Sequence, residues 1–190
     1  MSKRNFSSGG TLSSTTAAAA TAVLPSIGDL IDGDIVYQIS GDYVWLVAPA
    51  TRRSSMEWGL YGTDTALPNI SSGSDPNSGE YNTDLLVTNH GSSATAANWC
   101  KNHSSGTEYF LPNKEELLQI YNLRSTIDAA DSSGSTNTLL YFATSGYYGW
   151  SSTENSFNNA WLLYFGNGSV SNIAKNTNVF VVPVRKLALS

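Results

Sequence analysis

The sequence predicts an α+β domain, and three observations carry that expectation. Alternating apolar runs bounded by turn residues recur from Ile35 to Val184, as antiparallel hairpins require. Two short stretches of helical character, residues 94–101 and the run after Asn113, lie among those hairpins. The chain has 190 residues, 41% of them hydrophobic, which suffices for one well-filled core plus an appendage, and no internal repeat is found.

The appendage is residues 1–26, a low-complexity arm of Ser, Thr, Ala and Gly. Lys3, Arg4 and the apolar stretch 17–24 imitate a secretory signal, but Thr21 interrupts the stretch and Pro25 ends it. It is also far shorter than the about 20 residues that span a bilayer, so no membrane insertion is expected. With so little apolar surface the arm cannot fold alone. It is expected to be ordered against another chain, as an extended assembly or docking arm.

The globular part is residues 27–190. Residues 35–39 and 44–48 flank Ser40, Gly41 and Asp42, a hairpin signature. Residues 63–82 are mostly polar and read as a long surface loop, in which Asp75 and Glu80 are calcium-type ligands. Asn113 is a helix N-cap, and Glu116 completes a capping box. Leu117, Ile120, Tyr121 and Arg124 then share one helical face, the mark of a core stripe. Residues 139–142 read as a short strand.

The stretch 146–186 organises the chain. In residues 160–165, Trp161, Leu163 and Phe165 share one face, expected in the core, and Leu162 and Tyr164 the other. Gly166, Asn167 and Gly168 make a tight turn, with residues 179–184 as the expected partner strand. Before them, residues 150–154 read as a loop of recognition type. Its Ser151, Ser152, Thr153 and Glu154 either face a ligand or satisfy buried backbone, and Glu154 with Arg185 reads as a partly buried ion pair. The candidate ligand-binding residues are Tyr147, Tyr148, Asn155, Asn158 and Asn159. Tyrosine offers an apolar face to a flat ligand, and the asparagine amide pairs with hydroxyls as donor and acceptor.

Several segments occur in a telling order. They are residues 33–37, Asn82-Thr83-Asp84, residues 111–117, residues 150–154, Ala160-Trp161, residues 165–168, Lys175 and Pro183-Val184-Arg185. In that order, across residues 27–187, the chain resembles the DUF1566 or Lcl domain family, named after the C-terminal domain of a Legionella collagen-like adhesin. The resemblance implies a C-type-lectin-like fold, distantly akin to formylglycine-generating enzymes and to variable receptor-binding proteins of some phages. Members are commonly surface adhesins; some are trimeric and bind glycans. This chain departs from the family at Asp34, where a second glycine is usual, at Gly149, usually aromatic, and at Val182, usually arginine. It also lacks the disulfides and the calcium-binding triplets of animal C-type lectins.

Composition narrows the function. Fifteen acidic against ten basic residues, a net charge of −5, exclude a face built to neutralise phosphates, so nucleic acid is not an expected partner. Cys100 is the only cysteine, so it forms no intrachain disulfide, and with only His90 and His103 beside it a zinc site is not expected. Glu115 and Glu116 are adjacent on a helix and diverge, and neither paired carboxylates nor a Ser-His-Asp set is apparent. A single cysteine also cannot supply the copper chemistry of formylglycine-generating enzymes. The expectation is a non-enzymatic protein without cofactor or metal: a phage virion surface protein, fibre or capsid decoration. Its arm would meet other virion proteins, and its lectin-like domain a cell-surface glycan, on a homo-oligomer such as a trimer. A bacterial surface adhesin and a purely structural decoration are the alternatives.

Overall fold

The computed structural model describes residues 24–65, 78–103, 107–132, 141–142 and 146–189. The arm up to residue 23, residues 66–77 of the polar loop and residues 139–140 therefore lie outside the described residues. The strands are β1 (Leu30–Ile31), β2 (Asp34–Ser40), β3 (Tyr43–Val47), β4 (Ser54–Met56), β5 (Tyr148–Glu154), β6 (Asn159–Tyr164), β7 (Ser169–Ala174), β8 (Val179–Val181) and β9 (Val184–Ala188). The α-helices are α1 (Ser78–His90), α2 (Thr95–Asn102), α3 (Lys114–Asn122) and α4 (Arg124–Ala130). The chain is thus α+β, with largely antiparallel sheets.

The first sheet has the order β1-β2-β3-β9, antiparallel throughout. Its β2–β3 hairpin is the expected one, and Gly41 supplies the positive φ (56°) that the turn requires. The second sheet has the order β4-β8-β5-β6-β7, antiparallel except where Gly149 of β5 meets Phe180 of β8. The β6–β7 turn closes at Gly168, whose φ is 77°.

Both faces of the second sheet are covered. On one, Leu163 and Phe165 pack with Leu117 and Ile120 of α3, Ile127 of α4 and Ile35, Trp45 and Val184 of the first sheet. On the other, Trp150, Ala160 and Leu162 pack with Trp58, Leu86 of α1 and Ala96, Ala97 and Cys100 of α2. Cys100 is buried and free, as expected. The capping box is also formed: the Glu116 N–H donates to Asn113 Oδ1 (2.7 Å), and the Asn113 N–H to Glu116 Oε2 (2.7 Å).

Several expectations are corrected. The described residues hold four α-helices, not two, because α1 begins inside the stretch read as polar loop. It was hidden because it turns polar Asn82 and Thr83 inward beside Leu86. The α3 stripe stops at Asn122, and Arg124 opens α4 while donating back to the Tyr121 carbonyl (2.8 Å). Residues 150–154 belong to a strand, not a loop. The partner of β6 is β7, and β8 pairs instead with β4 and β5. Tyr141 and Phe142 lie in no strand, although Phe142 is a core residue.

Trp161 shares a face with Leu163 as the alternation requires, but it is only half-buried, with the Lys114 ammonium 4.7 Å from its ring. The aromatic at the centre is Trp150, fully buried, whose indole N–H donates to the Met56 carbonyl (3.0 Å). The expected Glu154–Arg185 pair is absent, because β5 and β9 lie in different sheets. Arg185 instead pairs with Asp34 (Nε to Oδ2, 2.5 Å), and Glu154 pairs with Lys175. Asp34 also accepts from Arg52 Nη1 (2.8 Å) and from the Tyr109 hydroxyl (2.8 Å).

Two outcomes follow for urea unfolding followed by tryptophan fluorescence. Trp150→Ala should cost about 3–5 kcal/mol, the range for truncating a large buried aromatic, and Trp161→Ala clearly less. Asp34→Ala should also cost about 3–5 kcal/mol, because it leaves Arg185 buried without its carboxylate.

Candidate ligand groove

One side of β7 borders a groove of about 250 Å³, closed on its far side by the connection from β7 to β8. Leu162, Ile173 and Val179 provide its apolar surface. Around them stand Tyr148, Ser171, Thr177 and Asn178, an aromatic ring with two hydroxyls and one amide, while the Asn172 amide lies on the opposite face of β7 with Asn159. The cross-strand register explains the assembly. Tyr148 lies opposite Tyr164 and Leu162 opposite Ser171, so side chains from three strands share this face. Tyr148 is 46% exposed, and its ring centre is 4.7 Å from that of Tyr164, which holds it as a platform at one end.

The groove wall is pinned by Lys175, which is buried. Its backbone N–H donates to the Asn158 carbonyl (2.8 Å), and its carbonyl accepts from the Trp58 N–H (2.9 Å). Its ammonium turns inward to Glu154 and donates to the carbonyls of Thr63 (2.8 Å) and Phe157 (3.2 Å). Glu154 accepts in addition from the Thr65 hydroxyl (2.7 Å). The Thr177 N–H donates to the Ala174 carbonyl (2.9 Å) and so fixes the turn that carries Thr177 and Asn178 over the groove.

The sequence-derived candidates do not form one site. Tyr147 lies in the core, 6% exposed, beside Phe142, Phe165 and Phe180. Its neighbour in the strand points the opposite way, so only one tyrosine of the pair can face outward. Tyr147 is therefore a packing residue, and burial pushes its phenol well above the ordinary range. Tyr148 does border the groove. Asn155, Asn158 and Asn159 sit at the other end of the β5–β6 pair, about 20 Å from Tyr148 along a seven-residue strand, and Asn159 faces the side of the sheet opposite the groove. There the N–H groups of Asn155 and Ser156 donate to the Asn159 carbonyl, forming the β5–β6 turn. Asn159 is linked toward β7 by its amide, which donates to Asn172 Oδ1 (3.1 Å).

Ser151, Ser152 and Thr153 are all buried. The Ser151 hydroxyl donates to the Trp161 carbonyl (2.9 Å), the Asn82 amide donates to the Ser152 hydroxyl (3.3 Å), and the Ser152 N–H donates to the Pro112 carbonyl (2.8 Å). The Ser151 and Ser152 groups thus satisfy the interior of the fold, and all three residues point inward rather than to the surface. The groove residues missed by sequence reasoning are Ser171, Thr177 and Asn178. The signal for Ser171 was the Ser-Val-Ser-Asn-Ile-Ala run directly after the glycine turn, where a hairpin partner belongs.

Among the described residues no group of three or more His, Cys, Asp or Glu side chains is placed to hold a metal. Of the two calcium-type residues, Asp75 lies outside the described residues and Glu80 sits in the first turn of α1. No helix among the described residues is long and apolar enough to cross a membrane. The chain matches no protein-family model and no curated protein.

The Asp34 cluster has a consequence at high pH. Burial, and the hydrogen bond to Asp34, push the Tyr109 phenol from 10.0 up to about 12. The fold therefore favours the protonated phenol. That contribution is complete below pH 10.0 and is lost as pH rises through about 12. Stability in urea should fall across this window, together with the rise of tyrosinate absorbance, and Tyr109→Phe should flatten part of the fall.

Proposed function

We propose that this chain is a non-enzymatic attachment protein of a phage virion, with a C-type-lectin-like domain of the DUF1566 or Lcl type that binds a cell-surface glycan without calcium. Residues 1–26 would dock it on other virion proteins as part of a fibre or capsid decoration. The observation that carries the reading is the groove beside β7, where an exposed aromatic ring adjoins hydroxyls and amides over an apolar floor. A sugar ring has the matching chemistry, with C–H faces that stack on Tyr148 and hydroxyls that both donate to and accept from Asn178, Ser171 and Thr177.

Support for the family reading comes from the ordered residues that resemble it. Asn82, Thr83, Asn113, Glu116, Ser151, Ser152, Thr153, Lys175 and Arg185 are all buried, so they act as a framework and leave the surface to vary. Support for a non-enzymatic role comes from the groove lining, which includes no carboxylate, histidine or cysteine. Each hydrogen bond to a sugar is worth about 1 kcal/mol net, so useful attachment requires display in several copies.

A glycan array probed with multimerised protein, with and without chelator, tests the proposal. Binding should persist in chelator and fall at least about tenfold in Tyr148→Ala and Asn178→Ala, a loss of about 1.4 kcal/mol. Tyr147→Ala should instead destabilise the fold. No binding by the wild type would favour a structural decoration, and binding lost with chelator would refute calcium independence.

A further inference from the structure

We infer that β7 is a self-association edge, pairing antiparallel with β7 of a second copy about a twofold axis at Asn172. This stands on the edge strand alone and does not require the glycan reading. Among the described residues the two sheets have four outer strands, and three of them are blunted. β1 has two residues and β4 three. β9 carries Arg185 and Lys186, and Phe110 covers it through two hydrogen bonds with Val184. Short, charged or covered edges are how proteins prevent sheet-to-sheet pairing. Among the described residues β7 has none of these devices. It runs six residues, Ser169–Ala174, with no charge, no proline and no break in its register with β6, and Val170 and Ile173 are 41% and 39% exposed.

The hydrogen-bond phase of the strand selects the partner. The Lys175 N–H bonds the Asn158 carbonyl, which makes the Asn159–Ala174 pair a non-hydrogen-bonded one. The backbone N–H and C=O of Ala174, and by alternation those of Asn172 and Val170, therefore point away from β6 to the free edge. These three positions are self-complementary. With Asn172 opposite Asn172 of a second copy, Val170 falls opposite Ala174: the Asn172 pair exchanges two hydrogen bonds, each Ala174 N–H meets a Val170 carbonyl, and each Val170 N–H shares the Ala174 carbonyl with the Thr177 N–H (2.9 Å). Opposed side chains then lie on the same face, as a continuous sheet demands. Val170 is covered by Ala174 and Ile173 by Ser171, and no charges oppose one another. The axis runs perpendicular to the sheet, so both grooves open on the same side of one ten-stranded sheet.

Sedimentation velocity on the full chain tests the pairing. The wild type should sediment at twice the protomer mass. Asn172→Pro removes an outward N–H that β6 does not use, so it should give a folded monomer with an unchanged circular dichroism spectrum. Crosslinking tests the register independently, against a silent background because Cys100 is buried. Asn172→Cys places two thiols on residues about 5.5 Å apart between Cα atoms, within disulfide range. Val170→Cys leaves its two copies offset by four positions, about 13 Å along the strands. Mild oxidation should link the first variant and not the second. A monomeric or trimeric wild type, a dimer that survives in folded Asn172→Pro, or equal crosslinking of the two cysteine variants would overturn the inference. If Asn172→Pro does not fold, the crosslinking pair decides.

Discussion

The buried carboxylate of Asp34 is the constraint on which the arrangement of this domain depends. A carboxylate out of water must be matched by donors, and these come from three distant segments: Arg52 from the turn before β4, Tyr109 from the segment before α3, and Arg185 from β9. Apolar burial is non-directional, so it would hold these segments close without deciding their register. The ion cluster is directional. It aligns β9 on β3 with Arg185 opposite Leu46, and a slip of one residue would turn the guanidinium to the opposite face of the sheet.

A second buried pair does for the surface what Asp34 does for the interior. Lys175 is held through its N–H, its carbonyl and its ammonium, so the chain leaving β7 has little freedom before it carries Thr177 and Asn178 over the groove. The polar groups around the groove are thereby held in place before any ligand arrives, which reduces the ordering entropy that binding would otherwise cost.

Local signals were legible in the sequence and non-local ones were not. The β2–β3 hairpin, the Asn113–Glu116 capping box and the buried Cys100 each depend on residues within a few positions of one another, and each is present. α1 escaped notice because Asn82 and Thr83 face inward, against the rule that polar residues face water. The strand at Trp150–Glu154 was read as a loop for a related reason, since Ser151, Ser152 and Thr153 are all buried, with the Ser151 and Ser152 hydroxyls hydrogen-bonded inside the fold. β7 was missed because an edge strand exposed on both faces shows no apolar alternation. In the groove, Tyr148 was identified, but Ser171, Thr177 and Asn178 come from that same edge and from a crossing turn. Partner choice was the least legible: Glu154 and Arg185 have complementary charge, yet they belong to different sheets.

Asp34 and Arg185 are 151 positions apart in the chain. Their pairing turns the domain into a closed loop, with first and last strands in a single sheet and everything else hung between them. Lengthening a flexible segment inside such a loop adds only about 0.6 kcal/mol of closure entropy for each doubling. The clasp therefore separates two kinds of evolutionary freedom. Residues at the fastening have almost none, while the intervening stretches can be extended or exchanged, and the ends still meet in the same place.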